Sequence, residues 1–371
     1  MKKILFLSTL ESVPWGGSEQ LWSDMALRLL DDGYQVMTNT MEWQQVHPKL
    51  KQVHEKGGRV TFRPNPHTSG NISKAAADKL KGLRWKKDVF DFAPDILFIN
   101  EGGTFDNALH QHGDWLRSLQ VPYIVLSNFM PEYLYMPRND RHFFYDFLRQ
   151  AKELWFVSRR NLEVAERTLA KNLPNATVIT NPIKVNAAPA SYPATDTWHM
   201  ATVARLETEV KGYDILMETF AQPQWRNRNF NVNIYGSGDH LEYLQELVAN
   251  KGLEDKVIFK GFVNNIVEVW EANHIMLMPS RGEGTPLSLL EANYCKRAAV
   301  VTDVGGNADV INEGVNGFVA EAPVVTCFAN AMERAWQQRE QWEQLGINAR
   351  MRIDEKYTTD AVQQAINRLL H

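Results

Sequence analysis

The sequence is poor in cysteine, in long apolar runs and in net charge, and each shortage excludes a class of protein. Its two cysteines, Cys295 and Cys327, lack the spacing of metal ligands, so we expect reduced core thiols in a cytoplasmic protein. No stretch approaches the roughly 18 apolar residues that a membrane-spanning helix needs. The net charge of −4 argues against a nucleic-acid partner.

The charge is divided unevenly along the chain. Residues 1–185 carry 24 Lys and Arg against 20 Asp and Glu, whereas the remainder carries 16 against 24. In the basic part, "KLKGLRWKKD" (Lys79 to Asp88) places Trp85 among five basic residues. This stretch predicts either a solvated helix face or contact with an anionic acceptor or membrane surface. The expected location is cytoplasmic, with peripheral contact at the inner membrane face as the alternative.

Short β-type apolar runs alternate with amphipathic helical patterns along the whole chain, which predicts βαβ units and parallel sheets. The pattern breaks near Pro182, where prolines and small residues predict a linker, and then restarts. With 371 residues, we expect two tandem doubly wound α/β domains, covering 1–185 and 186–356. Ligands bind beyond the carboxyl ends of strands in such sheets, and the cleft between the domains is the default site.

The first strand-to-helix loop contains a glycine pair, Gly16 and Gly17. Bare backbone there lets a phosphate or sugar approach helix amides, although a plain tight turn accounts for the pair equally well. The pair does not match G-x-G-x-x-G, so a nicotinamide site is not supported. A later turn, "YGSG" with Gly236 and Gly238, is a weak signal of the same kind.

Two cations stand at the end of a strand in the second half. Arg205 ends the run "HMATVARL", and Lys211 follows before a helical pattern. A planar guanidinium together with a mobile ammonium group suits a diphosphate. Taken singly, each residue is more often a surface cation.

Two glutamates, Glu283 and Glu291, flank an apolar run that follows a buried strand. Thr285 is predicted as the N-cap and Pro286 as the first helical residue, which leaves the amides of the first turn to meet an anion. Glu291 is predicted on a helix that faces the sheet. There it needs a partner such as a hydroxyl-rich ligand, unless it lies on the solvent face.

These residues resemble a known family. Glu283 and Glu291 form the E-x7-E pattern of retaining GT-B glycosyltransferases (glycosyltransferase group 1 type), which include many bacterial polysaccharide and glycolipid enzymes. The resemblance covers nearly the whole chain and is strongest over 199–320. Its other motifs, in order, are Gly16-Gly17, "FVS" (Phe156 to Ser158), "TNP" (Thr180 to Pro182), Arg205 with Lys211-Gly212, "YGSG", "FKGFV" and "VVTDVGGNADVINEGVNGFV".

The resemblance implies a GT-B fold, in which two Rossmann-like domains are followed by a helix that crosses back. Residues 1–185 would form the acceptor domain, completed by a C-terminal helix at about 357–371, and 186–356 the nucleotide-sugar donor domain. The implied activity is hexosyltransferase-like. A sugar moves from a UDP- or GDP-type donor to a saccharide or glycolipid hydroxyl by front-face attack with retention, without a metal or other cofactor.

The resemblance also implies roles for individual residues. Arg205 and Lys211 would neutralise the diphosphate, Glu283 would hold the sugar hydroxyls, and Glu291 would bind the ribose. Val263 would pack against the base. The other implied donor contacts are Gly16, Gly17, Gly236, Gly284, Thr285, Pro286 and Leu287.

The sequence departs from the family pattern at two places. Where many relatives have a histidine near the sugar, this chain has Asn128, and Glu101 in "NEGG" is an alternative sugar or acceptor contact. Lys296-Arg297 replaces a family glycine, which predicts an altered turn rather than altered chemistry. Two alternatives to transfer stay open, a donor-binding sensor and another GT-B enzyme such as a sugar-nucleotide epimerase. The base, the sugar, the acceptor and the oligomeric state do not follow from the sequence.

Overall fold

The structure is a computed structural model that describes residues 1–65, 83–183, 185, 190–357 and 360–371. It divides into two compact units. We call Met1–Pro182 with Asp360–His371 domain 1, and Ile183–Thr359 domain 2. The division falls inside the stretch predicted as a linker.

In the described part of domain 1, seven strands form a parallel sheet in the order β3-β2-β1-β4-β5-β6-β7. Helices cover both faces, so the strands are apolar on both sides and need no alternating pattern. The strands are β1 (Lys3–Ser8), β2 (Gln35–Met41), β3 (Arg59–Arg63), β4 (Ile96–Glu101), β5 (Tyr123–Ser127), β6 (Glu153–Phe156) and β7 (Ala176–Val178). The helices are α1 (Gln20–Asp31), α2 (Pro48–Glu55), α3 (83–92 in its described part), α4 (Asn107–Ser118), α5 (Arg138–Gln150) and α6 (Arg159–Leu169).

The described part of domain 2 contains six parallel strands in the order β10-β9-β8-β11-β12-β13. They are β8 (Trp198–Val203), β9 (Phe230–Tyr235), β10 (Val257–Gly261), β11 (Ile275–Met278), β12 (Ala298–Thr302) and β13 (Gly317–Ala320). The helices are α7 (Thr208–Lys211), α8 (Tyr213–Phe220), α9 (Leu241–Asn250), α10 (Ile266–Glu271), α11 (Leu287–Tyr294), α12 (Asn307–Val310), α13 (Val325–Gln337) and α14 (Trp342–Lys356). Strands and helices alternate in both halves and each half forms a parallel sheet, which confirms the predicted fold class.

The last helix, α15 (Ala361–Leu370), belongs to domain 1 and packs on α1. Its apolar face joins the core beside β1, with Ile366 and Leu369 buried. Polar contacts fix both ends of the helix. Lys2 Nζ donates to the carbonyl of Leu370 at 2.8 Å, and Arg28 pairs with Asp360.

Both sheets reverse their strand order at one place. The reversal lies between β1 and β4 in domain 1 and between β8 and β11 in domain 2. Loops leave opposite faces of a sheet at such a point, which opens a crevice at the carboxyl ends of the strands. The residues that follow these four strands are therefore the ones to inspect.

The basic stretch around Trp85 buries its aromatic ring. Trp85 points into the core of domain 1, where its ring meets Trp115 edge-on with centroids 4.8 Å apart. Arg84 and Lys87 are exposed on this helix, whereas Trp85 is buried. Residues 79–82 lie outside the described residues. Within the described ranges, no helix has the length and apolar character needed to cross a bilayer.

The turn formed by Lys296 and Arg297 is explained by packing. Lys296 adopts a left-handed conformation with φ 60°, between α11 and β12. The buried Arg297 guanidinium donates to the carbonyls of Asn273 (2.7 Å) and Cys295 (2.8 Å), and also to those of Ser191 and Trp270. Burial lowers the pKa of Arg297 to about 10. Arg297 thus satisfies helix-end carbonyls and ties the linker to domain 2.

Candidate functional site

Glu283 lies in the loop after β11, where two donors hold its carboxylate. Lys211 Nζ and Ser280 Oγ both donate to Glu283 Oε1, each at 2.7 Å. The Glu283 side chain is 7% exposed and that of Lys211 is 19% exposed. The structure therefore brings two of the predicted catalytic residues into direct contact, at the reversal between β8 and β11.

Arg205, the third predicted catalytic residue, follows β8. Its guanidinium contacts Glu207 Oε2 at 3.0 Å, and half of the Arg205 side chain is exposed. An ion pair this exposed has little net strength, about 0–1 kcal/mol. Arg205 can therefore exchange Glu207 for an anionic ligand at low cost.

Two of the glycines are required by the packing of domain 2. Gly212 follows Lys211 with φ 68°, and a Cβ there would lie 2.0 Å from the carbonyl oxygen of Pro279. The same test at Gly236, with φ 144°, places a Cβ 1.9 Å from the carbonyl oxygen of Ala204. Close approach of backbone to backbone thus accounts for the "YGSG" turn without a ligand.

The helix after Glu283 starts one residue later than predicted. Helix α11 begins at Leu287, and Pro286 occupies the N-cap position with an extended ψ of 120°, so Thr285 is not the cap. The loop is fixed from behind, because Gly306 N donates to the carbonyl of Gly284 at 2.6 Å. Glu291 lies in the second turn of α11 and is partly buried.

Ser280 was missed by the sequence analysis, although it lies next to the predicted motif. It is buried, and its carbonyl accepts a hydrogen bond from Thr302 Oγ1 at 2.5 Å. The backbone of the residue that holds Glu283 is therefore itself held by β12. Val263, the predicted base contact, is partly buried in the loop after β10 and packs against the core of domain 2.

Gly16, the first glycine of the pair in domain 1, is not required by packing in the same way. Gly16 has an extended backbone with φ −141°, and an added Cβ would make ordinary contacts, the nearest 3.6 Å from Ser18 Oγ. Ser18 lies inside a short 3-10 helix, Gly17–Glu19, that precedes α1. The fold of domain 1 therefore leaves the bare backbone at Gly16 unexplained.

Asn128 and Glu101 are built into the sheet edge of domain 1. Asn128 Nδ2 donates to Asn100 Oδ1 at 2.9 Å and to the carbonyl of Glu101 at 2.8 Å. Both amide hydrogens are thus used, and a sugar hydroxyl could be received only by the amide oxygen. Glu101 is buried, its Oε1 accepts from Asp106 N at 3.2 Å, and burial raises its pKa well above the ordinary value.

A buried acid at the reversal between β1 and β4 was also missed. Glu19 Oε1 accepts from Ser8 Oγ (2.9 Å) and Asn100 Nδ2 (2.8 Å), and Oε2 accepts from Trp22 Nε1 (3.0 Å). Burial raises the pKa of Glu19 to about 7, against those bonds and the positive charge of Arg63. We call Glu19, Arg63, Glu101 and Asp106 the acid cluster.

Arg63 is the cation of the acid cluster. Its guanidinium donates to Asn39 Oδ1 at 2.7 Å and to the carbonyl of Ser8 at 2.6 Å, and burial lowers its pKa to about 10. Asp106 in turn accepts from Thr9 Oγ1 (2.5 Å) and the amide of Gly102 (2.9 Å). These bonds join β1, β2 and β3 to one another and the loop after β1 to the loop after β4.

Fold and site together define a class of protein. Solved GT-B structures match the whole chain. HepE from Anabaena in complex with UDP-glucose superposes with a TM-score of 0.74 at 17% identity and covers 100% of this chain and 99% of its own. The protein therefore has the GT-B fold. Residues 187–352, which make up most of domain 2, match the family model described as glycosyl transferases group 1.

Curated relatives resemble only part of this chain. A poly(ribitol-phosphate) alpha-N-acetylglucosaminyltransferase of Staphylococcus aureus (strain COL) is 25% identical over 192 residues, 52% of this chain and 38% of the relative. An N-acetyl-alpha-D-glucosaminyl L-malate synthase of Bacillus anthracis is 30% identical over 129 residues, 35% of this chain and 34% of the relative. The matched regions thus span less than half the length of these relatives.

Proposed function

We propose that this protein is a retaining glycosyltransferase that moves a sugar from a nucleoside-diphosphate sugar to a hydroxyl of a saccharide or glycolipid. The observation that carries the proposal is the Lys211–Glu283 contact of 2.7 Å at the strand reversal of a group 1 domain. A cation for phosphate and a carboxylate for sugar hydroxyls stand side by side there. The similarity in fold to HepE, solved with UDP-glucose, supports a nucleotide-sugar donor.

The donor's diphosphate would replace the carboxylate partners of Arg205 and Lys211. Both cations would then stabilise the departing nucleoside diphosphate, which is the charge that develops in the transition state. Ser280 would still donate to Glu283 and keep it aimed at the sugar hydroxyls. We include metal independence in the proposal, because these two side chains supply the positive charge. Retention would follow from front-face attack, in which a phosphate oxygen takes the acceptor's proton.

Other donor contacts keep their predicted roles within this proposal. Glu291 would bind the ribose, Val263 the base, and the backbone from Gly284 to Leu287 the phosphates. Gly16 and Gly17 remain proposed phosphate contacts, because the fold of domain 1 does not itself require glycine at Gly16.

The acceptor would be a saccharide or glycolipid bound by domain 1. Tyr133 and Tyr135 are almost fully exposed, at 89% and 85%, and such rings can stack on sugar rings. Their loop is anchored, because Glu132 accepts a bidentate pair of hydrogen bonds from Arg160. Asn128 would contribute its amide oxygen. We keep peripheral contact with an anionic membrane as part of the proposal, through the exposed Arg84 and Lys87 of α3.

A thermal-shift screen against UDP, GDP, ADP and their sugars tests the donor. One base should stabilise the protein by RT ln(1+[L]/Kd), about 2.7 kcal/mol at a hundredfold excess over Kd. A transfer assay with that donor, in the presence and absence of EDTA, then tests turnover and metal independence. NMR of the product anomer tests retention. Failure of every nucleoside diphosphate to bind would overturn the proposal, and an inverted anomer would overturn the mechanism.

A donor-binding sensor is the second candidate. It is favoured by Asn128, which replaces the family histidine and uses both amide hydrogens internally. Calorimetry distinguishes the two candidates. Tight donor binding without hydrolysis or transfer to a panel of saccharides and glycolipids would identify a sensor.

A further inference from the structure

The segment that carries Lys211 is joined to the loop that carries Glu283 by one arginine. Arg281 N donates to the carbonyl of Val210 at 2.7 Å, and its Nη1 donates to the carbonyl of Thr208 at 3.2 Å. Its fork also meets Asp214, with Nη1 to Oδ1 at 2.8 Å and Nη2 to Oδ2 at 2.6 Å. Arg281 therefore contacts α7, the first turn of α8 and its own loop at once.

Helix α7 needs such support. It has four residues, which is too short to be stable alone because its nucleation is unfavourable. Lys211 is its last residue, and the lysine side chain has four rotatable bonds. The position of the Lys211 ammonium group thus depends on contacts made by the segment rather than on the helix itself.

The Arg281–Asp214 pair is well formed for this purpose. Bidentate pairing between a guanidinium and a carboxylate fixes orientation as well as distance. Burial alone would raise the pKa of Asp214, but the hydrogen bonds and charge of Arg281 lower it below the ordinary value. The pair is therefore ionised at neutral pH. Its two side chains are 37% and 35% exposed.

We infer that Arg281 and Asp214 are positioning residues that hold Lys211 beside Glu283 for binding the donor's diphosphate. The inference rests on the proposed function. Preset geometry matters because a displacement of about 1 Å at such a site can reduce the rate about a hundredfold. Sequence analysis gave no role to either residue, since their pairing joins positions far apart in the chain.

Calorimetry with UDP and donor kinetics on Asp214→Asn and Arg281→Lys tests this inference. Each variant keeps the side-chain size but weakens the bidentate pair. We expect the Kd for UDP to rise at least tenfold and kcat/KM to fall by a similar factor, with Tm within about 2 °C of the wild type. The matched control is Arg334→Lys. Arg334 pairs with Glu313 at 2.8 Å with similar exposure (41% and 47%) and also donates to a carbonyl. This control should leave both values unchanged.

The decisive measurement is made on the double variant that carries Lys211→Ala and Asp214→Asn. If the pair acts through Lys211, Asp214→Asn should cause no further change in the Kd for UDP or in kcat/KM when Lys211 is already alanine. If the pair has an independent structural role, Asp214→Asn should change both values by its full factor in that background as well. Additive effects, or single variants within twofold of the wild type, would overturn the inference while leaving the proposed function intact. Failure of wild-type protein to bind any nucleoside diphosphate would overturn both.

Discussion

The two strand reversals place charged residues at the same topological position with opposite outcomes. In domain 2, Lys211 and Glu283 form a pair that solvent reaches in part, and Arg205 is half exposed. In domain 1, Glu19, Arg63 and Glu101 are each 2% exposed or less. The same position in the fold thus supports charges that solvent reaches, most freely at Arg205, in one domain and a sealed set in the other.

The difference shows where function and stability are separated. Charges at the surface can change partners cheaply, which suits the binding of an anion. Charges in the interior stabilise only as a complete set, because removing one partner leaves the other buried and unpaired. Substitutions in domain 2 should therefore alter activity, and substitutions in the acid cluster should alter stability.

The largest effect is expected for Arg63→Met in the acid cluster. This change removes the cation beside Glu19 and Asp106 and leaves Asn39 and the carbonyl of Ser8 without a donor. Removing one partner from a buried set of charges typically costs about 3–5 kcal/mol. The free energy of unfolding of domain 1 should therefore fall by that amount, and its midpoint should move to a lower urea concentration. Urea denaturation measures the shift. The Kd of UDP should not change, and weaker binding without lost stability would contradict the comparison.

The next largest effect is expected for Lys211→Ala in domain 2. Removal of a preorganised charge partner lowers the rate by roughly 10²-fold or more, about 3 kcal/mol. Glu283 keeps its hydrogen bond from Ser280 but loses its charge partner while only 7% exposed, so the Tm should fall modestly as well. A donor-saturated transfer assay measures the rate, with Glu283→Ala expected to behave alike. A near-normal rate in both variants would show that this pair is not the site.

The acid cluster should also give domain 1 a pH dependence. Since the pKa of Glu19 is raised to about 7, the folded protein keeps a proton that the unfolded chain releases near pH 4.5. Glu19 therefore lowers the free energy of unfolding as the pH rises through this window, by up to roughly 3 kcal/mol. Glu19→Gln lacks this titration.

Urea denaturation at pH 5 and pH 8 checks the sign. The free energy of unfolding of the wild type minus that of Glu19→Gln should be smaller at pH 8 than at pH 5. The other acids of the cluster titrate in both proteins, so most of their contribution cancels, apart from the coupling of Glu19 to Asp106 and Arg63. An unchanged or larger difference at pH 8 would show that Glu19 is ionised throughout the window.

The sequence was sufficient for the sheets and for the site of domain 2. Each strand is a short apolar run between helical patterns, and burial on both faces requires that composition. Lys211 and Glu283 belong to a spaced motif, so they could be named before their contact was known. Glu19 could not, because an acid in "GGSEQ" has the same pattern as an ordinary acid at a helix start. Its burial depends on Ser8, Trp22 and Asn100 meeting around it.

Contacts between residues that are distant in the chain also could not be predicted from the sequence. Arg281 and Asp214 are ordinary surface residue types, and they meet where tertiary contacts such as the close approach of Gly212 to Pro279 join their segments. Arg297 appeared as a departure in a turn, whereas its role depends on carbonyls from several segments. In each case the missing information is a tertiary contact rather than a local preference.

The smallest effect is expected for Glu207→Gln, which tests whether the exposed charge of Arg205 can change partners easily. Arg205 loses a competing carboxylate, so its guanidinium becomes more available to a diphosphate. Because an exposed ion pair is worth about 0.2–1 kcal/mol, UDP should bind about two- to fivefold more tightly. The gain should shrink as salt is raised from 0.05 to 0.5 M, since exposed charges are screened. Weaker binding in the variant would mean that Glu207 orients Arg205 for the ligand, and the charges of domain 2 would then depend on their partners as those of the acid cluster do.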